Sequence, residues 1–266
     1  DARVQRPHIQ DMGLFDRAAL AAGRARYAAA QGMRSAWYAA QMRAAKSRTT
    51  GFYRPDDPDF TPTRGKPDMA QLRKAYFDLF LKDRRNVEQG LYPAPRDVSI
   101  AHLPNALKSA RAFQADVEAV ERRRQARDAT EVQAELPEGS NRYPEYYRQN
   151  FHYQSGGWFS DESAELYDTQ VEALFTGTAD AMRRAALAEI ARELKGRDQR
   201  GVSLLDVACG NGRFLKTVMT VWPRLQAAGL DLSPNYTDAA GKRLAPWPQV
   251  EVFHEAAEAM PLPDAS

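Results

Sequence analysis

From Gly201 onward, short apolar runs alternate with segments of helical pattern. The predicted strands cover residues 202–208, 226–232 and 250–254, and the predicted helices between them cover residues 212–222 and 235–244. A short, continuous apolar run such as residues 202–208 is typical of a strand buried in a parallel sheet. Strands that alternate with helices, joined by right-handed crossovers, predict an α/β fold with a parallel sheet.

The first 200 residues have a different pattern, which is mostly helical. Residues 14–46 are rich in good helix formers and predict one or two helices. Apolar residues at helical spacing predict further helices at about 68–90, 107–120, 162–175 and 178–195. Asp68 is a suitable N-cap for the helix at 68–90. Four prolines between residues 49 and 67 predict an extended linker.

The composition excludes several classes of protein. Hydrophobic residues make up 43% and charged residues 27% of the 266 residues, which is typical of a soluble globular chain. No run approaches the roughly 18 apolar residues that a transmembrane helix needs. The only cysteine, Cys209, rules out an internal disulfide and a multi-cysteine metal site, and we predict no metal.

The charge does not indicate a nucleic-acid partner. Lys and Arg number 37 against 35 Asp and Glu, so the net charge of +2 is small. Residues 121–127 are rich in arginine, but acidic residues interleave with them and no aromatic stacking platform accompanies them. We therefore interpret this stretch as a solvated helix face.

The segment that carries chemistry runs from Asp206 to Gly212, between the first strand and the following helix. Gly210 and Gly212 allow a tight turn and a close approach of the backbone to a ligand. The helix that follows offers free N–H groups to an anion. Asp231, at the end of the next strand, is placed to accept hydrogen bonds from ribose hydroxyls. Together these features predict a pocket for a nucleoside-bearing cofactor.

Two classes of cofactor use such a pocket. A dinucleotide needs a small residue three positions after the second glycine, where this chain has Leu215. A dinucleotide also gains nothing from Asp206, which would face its pyrophosphate. S-adenosylmethionine has an ammonium group for Asp206, a carboxylate for the helix end and a ribose for Asp231. The residues favour S-adenosylmethionine.

At these positions the chain resembles the class I S-adenosylmethionine-dependent methyltransferases. Residues 204–212 resemble their motif I, residues 229–234 their motif II, and residues 255–266 their adenine-contacting segment. Residues 150–158 resemble a segment that precedes this domain in a plastid, cyanobacterial and proteobacterial branch, in which many members have no assigned substrate. The resemblance covers residues 143–266.

The resemblance implies a fold and a set of site residues. The expected fold is α/β, with a Rossmann-like core of which three strands are present, preceded by a mostly helical region. Asp206 would neighbour the methionine end of the cofactor, and Asp231 would hold the ribose. The cofactor loop would comprise Ala208, Cys209, Gly210 and Gly212, whereas Leu232 and Ala257 would lie on the adenine side.

Two positions depart from the family pattern. Ala208 replaces the first glycine of motif I, which is tolerated if its φ is negative. Ala256 stands where many members place an aspartate that accepts a hydrogen bond from the adenine amino group. Loss of that bond would weaken cofactor binding by about 1 kcal/mol.

The sequence gives weaker indications of catalytic side chains. His152 and Tyr153 are candidates for a cofactor lid or an acceptor contact, and the alternative is that they pack against the helical region. His254, which ends the third strand, is interpreted as structural. Cys209 is interpreted as a small residue that fits the loop rather than as a reactive thiol.

Three regions are expected: a helical N-terminal region with proline-rich linkers (1–142), a helical cap (143–200) and the first half of a methyltransferase core (201–266). The core has three readable strands where the family has about seven, so the first strand would lack a neighbour on one side. Either the native chain continues, or a partner completes the sheet.

Two functions from different classes therefore stay open. One is a methyltransferase acting on a small-molecule or protein acceptor. The other is a catalytically inactive, methyltransferase-like structural or assembly subunit of a larger complex.

The predicted location rests on the resemblance and on the N-terminal charge. Residues 1–50 hold nine Lys and Arg against three Asp, and the chain begins with Asp1 rather than Met. A basic, alanine-rich start resembles the end of an organellar transit region, and the other interpretation of this segment is a solvated amphipathic helix. We expect a soluble protein of the chloroplast stroma, with the bacterial cytoplasm as the alternative.

Overall fold

The computed structural model describes residues 13–49, 68–95, 103–126, 136, 143–148 and 155–263. Five helices precede the sheet. They are α1 (Leu14–Ser47), α2 (Met69–Glu88), α3 (Leu103–Ala126), α4 (Asp161–Leu174) and α5 (Ala179–Glu193). All five lie where the sequence predicts helices. None of the helices within these ranges combines the length and hydropathy that crossing a bilayer requires.

The C-terminal part alternates strands and helices as the sequence predicts. Its elements are β1 (Ser203–Val207), α6 (Arg213–Val221), β2 (Gln226–Asp231), α7 (Pro234–Leu244) and β3 (Val250–His254). The three strands are parallel in the order β1-β2-β3, with Leu205 paired to Ala228 and Ala228 to Glu251. The described residues thus form a partial Rossmann-like core behind a helical region, which is the predicted fold class.

Local signals set where several helices begin. The Asp68 carboxylate accepts hydrogen bonds from the backbone N–H groups of Ala70 and Gln71, as an N-cap residue should. Ser160 caps α4 and Ser233 caps α7 in the same way. Pro234 at the start of α7 costs no hydrogen bond there, because the first N–H groups of a helix have no partner within it.

The main core lies between the sheet and the helices that cover it. Leu215, Val218 and Met219 of α6 are fully buried, and they share one apolar cluster with Leu187 of α5 and Leu244 of α7. A smaller cluster joins Ala45 of α1, Phe113 of α3 and Ala173 of α4. The domain boundaries at 142/143 and 200/201 stay predictions.

β1 lies at the edge of the sheet in the part of the chain that the structure describes. It pairs with β2 on one side, as expected from the strand count. Its residues are less buried than those of β2, and 46% of the surface of Val207 is exposed.

Candidate functional site

The carboxyl ends of the three strands meet at one edge of the sheet. The strand register pairs Val207 with Leu230 and Asp231 with His254, so the segments that follow β1, β2 and β3 leave the sheet side by side. Ligands of open α/β sheets bind beyond this edge. The residues of the predicted cofactor site are therefore brought to one place by the parallel topology.

Asp206 lies one residue before the end of β1, and its environment is unfavourable for a carboxylate. Its Oδ2 atom is buried and has no hydrogen-bond partner among the described residues. Burial and the nearby charge of Asp231 raise the pKa of Asp206 from 3.8 to about 6. A cation that binds beside Asp206 would remove both penalties.

The loop after β1 turns sharply. Ala208 has a φ of +60°, so the negative φ under which alanine would be tolerated here is not the one adopted. Left-handed backbone is strained for alanine, because its Cβ approaches the following carbonyl oxygen at a cost of about 1–2 kcal/mol. The turn is held nonetheless, because the Cys209 N–H donates to the Leu230 carbonyl oxygen at 3.0 Å. Gly210 also has a positive φ, +56°, which glycine adopts without strain.

Asp231 binds this loop directly. Its Oδ2 accepts a hydrogen bond from the Gly210 N–H at 2.8 Å, and its Oδ1 accepts one from the Ser233 N–H at 2.9 Å. A carboxylate has about four acceptor positions, so each oxygen can accept a further hydrogen bond. The predicted ribose-binding residue therefore also fixes the shape of the loop.

Gly212 begins α6 at a point where a side chain does not fit. Its φ is +73°, and a Cβ built there would lie 3.0 Å from the Cβ of Ala240 and 3.1 Å from its Cα. Glycine thus allows α6 and α7 to approach closely. The neighbouring Asn211, which is 2% exposed, donates to the Ala164 carbonyl oxygen at 3.2 Å and accepts from Arg243 at 2.6 Å.

The remaining predicted residues lie along the same edge. Leu232 is half-buried, and its carbonyl oxygen lies 3.1 Å from Nε2 of His254. Nε2 of His254 is also 3.1 Å from the Tyr143 hydroxyl group. Ala257 opens a short 3₁₀ helix (Ala257–Ala259) after β3 and is exposed.

Cys209 is an inert thiol in this setting. It is 8% exposed, and burial together with the charges of Asp231 and Asp206 raises its pKa to about 12. Its Sγ would lie 2.8 Å from a Cβ built on Gly229, so the thiol packs directly on β2. The thiolate is the reactive form of cysteine, and this environment disfavours it.

An aromatic cluster beside Asp231 was not predicted from the sequence. Tyr147 stacks on Trp158 with ring centroids 5.3 Å apart, and it meets Phe159 edge-to-face at 5.6 Å. Burial and the charge of Asp231 raise the pKa of Tyr147. The crowding of aromatic residues in 143–160 was the signal available, but it showed no period that would assign them to one face. His152 and Tyr153, the candidate catalytic residues, lie outside the described residues.

The part of the chain that forms the carboxyl edge of the sheet is similar to known proteins. The family model described as "Methyltransferase domain" matches residues 204–266, which contain all the predicted cofactor-binding residues. Residues 204–266 are thus similar to a methyltransferase domain. The methyltransferase segment thus begins within β1 and includes the loop, Asp231 and the 3₁₀ helix after β3.

One curated relative is a malonyl-[acyl-carrier protein] O-methyltransferase from Paenibacillus sp. (strain JDR-2). It is 33% identical over 89 residues, which are 32% of this chain and 29% of the relative. The chain therefore spans less than a third of that methyltransferase. Among solved structures, the selenomethionine-substituted CurJ carbon methyltransferase overlaps 90% of this chain and 61% of its own, with a TM-score of 0.35 and 11% identity.

Proposed function

We propose that this protein binds S-adenosylmethionine at the carboxyl edge of the sheet and transfers its methyl group to an acceptor. The observation that carries the proposal is the buried Oδ2 of Asp206, which has no partner among the described residues, with the pKa of its carboxyl group raised to about 6. A buried carboxylate without a partner is costly, and an ammonium group is the complement that relieves it. The aminopropyl end of S-adenosylmethionine carries such a group.

The other residues of the edge fit the rest of the cofactor. The backbone N–H groups at the start of α6 suit its carboxylate, because the first turn of a helix has unpaired N–H groups and a partial positive charge. Asp231 has acceptor capacity left for the ribose hydroxyls. We further propose that Leu232 and Ala257 contact the adenine. With Ala256 in place of an aspartate, the adenine amino group forms one hydrogen bond fewer.

Methyl transfer requires little covalent chemistry from the side chains of the protein. When bound, the sulfonium of the cofactor supplies an activated methyl group. The residues of the chain would then hold the cofactor in line with the acceptor, and Asp206, Asp231 and the loop glycines would fix its orientation. A base is needed only for an acceptor that must lose a proton, and His152 and Tyr153 stay candidates for that role.

Cofactor binding is tested by thermal unfolding with S-adenosylmethionine and with its demethylated product. A specific site stabilises the folded protein by about 2.7 kcal/mol when the ligand is at one hundred times its Kd. Asp231→Ala should lose most of this shift, whereas Asp238→Asn, an exposed carboxylate on α7, should keep it. Absence of any shift at millimolar cofactor would show that the proposed binding is wrong.

A second candidate function follows from the exposed edge of β1. Among the described residues this strand has a neighbour on one side only, and its apolar side chains are incompletely buried. An unpaired strand edge is a template for pairing with another chain. A methyltransferase-like subunit that assembles through this edge would bind the cofactor without turnover. Transfer of a labelled methyl group into native extract distinguishes the two functions, since only the enzyme incorporates label.

A further inference from the structure

The structure contains a cavity of about 630 Å³ that is lined by none of the proposed cofactor-binding residues. It lies along the face of α6 that carries Arg213, Lys216, Thr217 and Thr220. These positions are spaced by three and four residues, so they share one helix face. The other face of α6 packs in the core, and Tyr92, Leu187 and Val221, which belong to the apolar cluster or pack against it, also line the cavity.

The wall of the cavity is rich in positive charge. It contains five cationic side chains and a single carboxylate, that of Asp180. The cations come from different parts of the chain: Arg34 of α1, Arg184 of α5, Arg213 and Lys216 of α6, and Arg243 of α7. Residues 92–95, which include Pro93 and Pro95, close the remaining side, and their proline rings make this wall stiff.

Carboxylates in and beside the wall offset part of this charge. Asp83 binds Arg184, with Nη2 and Oδ2 2.8 Å apart, and Glu172 binds Arg34 at 2.8 Å. Asp168 binds Arg213 at 3.1 Å and Arg243 at 2.8 Å. Asp180 binds Arg34 at 2.7 Å.

The described cluster nevertheless has more cations than anions. Its cations are Arg34, Arg183, Arg184, Arg213, Lys216 and Arg243, and its carboxylates are Asp83, Asp168, Glu172 and Asp180. The excess is two positive charges. Burial and the charge of Asp180 raise the pKa of Glu172.

Lys216 provides the charge that is least committed to the protein itself. It is exposed, and no other described side chain forms an ion pair or a hydrogen bond with its ammonium group. The side chains of Arg213 and Arg243 are 29% and 26% exposed. Their guanidinium groups already donate to Asp168, Asp180 and Asn211, so a ligand would use the remaining N–H groups of their terminal nitrogens. The hydroxyl groups of Thr217 and Thr220 already donate to the carbonyl oxygens of Arg213 and Lys216. A ligand at this wall would therefore be bound by the lysine and arginine side chains rather than by the threonine hydroxyl groups.

We propose that this cavity binds a small soluble molecule that carries a phosphate monoester or a diphosphate. Two excess positive charges match the charge of a phosphate dianion, and guanidinium and ammonium groups bind phosphate oxygens through strong, charge-assisted hydrogen bonds. The volume lies within the range of small-molecule sites, so it leaves room for the organic part of such a ligand. This site is separate from the proposed cofactor site and does not depend on it.

The test uses inorganic phosphate and pyrophosphate as probes, with sodium chloride at equal ionic strength as the reference. We expect both probes to raise the melting temperature more than chloride does, and titration calorimetry to give a saturable isotherm. Lys216→Gln should weaken pyrophosphate binding about tenfold, because it removes one charge-assisted contact. Lys242→Gln, an exposed lysine on α7 that does not line the cavity, should leave the affinity unchanged.

A third variant separates this site from the cofactor site. Asp206→Asn should bind pyrophosphate as the unaltered protein does, because Asp206 does not line this cavity. Three results would overturn the proposal: equal effects of phosphate and chloride, equal affinities of the Lys216 and Lys242 variants, or loss of pyrophosphate binding in Asp206→Asn alone. Failure of S-adenosylmethionine binding would leave this proposal unaffected.

Discussion

Replacement of Asp206 by asparagine should stabilise the free protein and at the same time weaken cofactor binding. Asn has nearly the shape of Asp but carries no charge, so it removes the burial penalty and the repulsion from Asp231 that raise the pKa of Asp206. A residue that destabilises the free protein while it holds a ligand group is expected at a binding site.

The magnitude follows from the pKa. A rise from 3.8 to about 6 corresponds to at most about 3 kcal/mol, since one pKa unit is 1.36 kcal/mol. Solvent reaches part of the side chain and screens its charge, so we expect a gain of about 1–2 kcal/mol at pH 8. For a chain of this length, that gain raises Tm by about 2–8 °C.

The sign of the pH dependence is also fixed. Because the folded state holds the Asp206 proton more tightly than the unfolded state, its protonation stabilises the fold below pH 3.8, and this contribution is lost as the pH rises through about 6. The variant should therefore match the unaltered protein near pH 3.5 and exceed it increasingly up to pH 7, with a constant difference above.

Urea unfolding at several pH values measures this difference, with Asp238→Asn as the control for loss of an exposed carboxylate. Titration of S-adenosylmethionine against the same variants measures binding, and Asp206→Asn should weaken it at least about tenfold. A variant that is less stable than the unaltered protein at pH 8, or that binds the cofactor equally well, would refute the reasoning.

Three further predictions concern the loop. Gly212→Ala should lower the free energy of unfolding in urea by about 2–4 kcal/mol, because the alanine would have a φ of +73° and a Cβ 3.0 Å from that of Ala240. Gly241→Ala, whose Cβ would have nothing within 4 Å, should instead stabilise α7 by up to about 1 kcal/mol. Equal effects of the two variants would contradict the close approach of α6 and α7. Ala208→Gly should stabilise the protein by about 0.5–1 kcal/mol, because glycine relieves the strain at φ +60°, and a loss of stability in the same assay would argue against that backbone conformation. Cys209, with its pKa raised to about 12, should react with a thiol reagent at pH 8 far more slowly in the folded protein than in urea, and equal rates would contradict its burial.

The local features of the fold could be predicted from the sequence. The observed ends of β2 and β3 lie within one residue of the predicted ends, because apolar runs and polar turns alternate clearly there. Asp68 was identified as an N-cap because a capping side chain bonds residues two and three positions away. The positions of Asp206, the loop glycines and Asp231 could also be predicted, because the motifs place one residue type at a fixed spacing for each function.

The tertiary structure decided what surrounds these residues. The sequence left φ of Ala208 open, and its positive value belongs to the turn that Cys209 and Leu230 hold together. Asn211 is bound to Arg243, 32 residues away, and Arg34 reaches Asp180 across 146 residues. Contacts at such separations have no period in the sequence.

The sequence by itself determined an α/β segment with a cofactor loop and Asp231 at the edge of a parallel sheet. Only the tertiary structure decided that Asp206 Oδ2 is buried with no partner in the part of the chain that the structure describes, and that cations from α1, α5, α6 and α7 meet at one cavity. The physical reason is the range of the forces involved. Backbone propensities and caps act within a few residues, whereas burial and charge depend on every element that packs nearby.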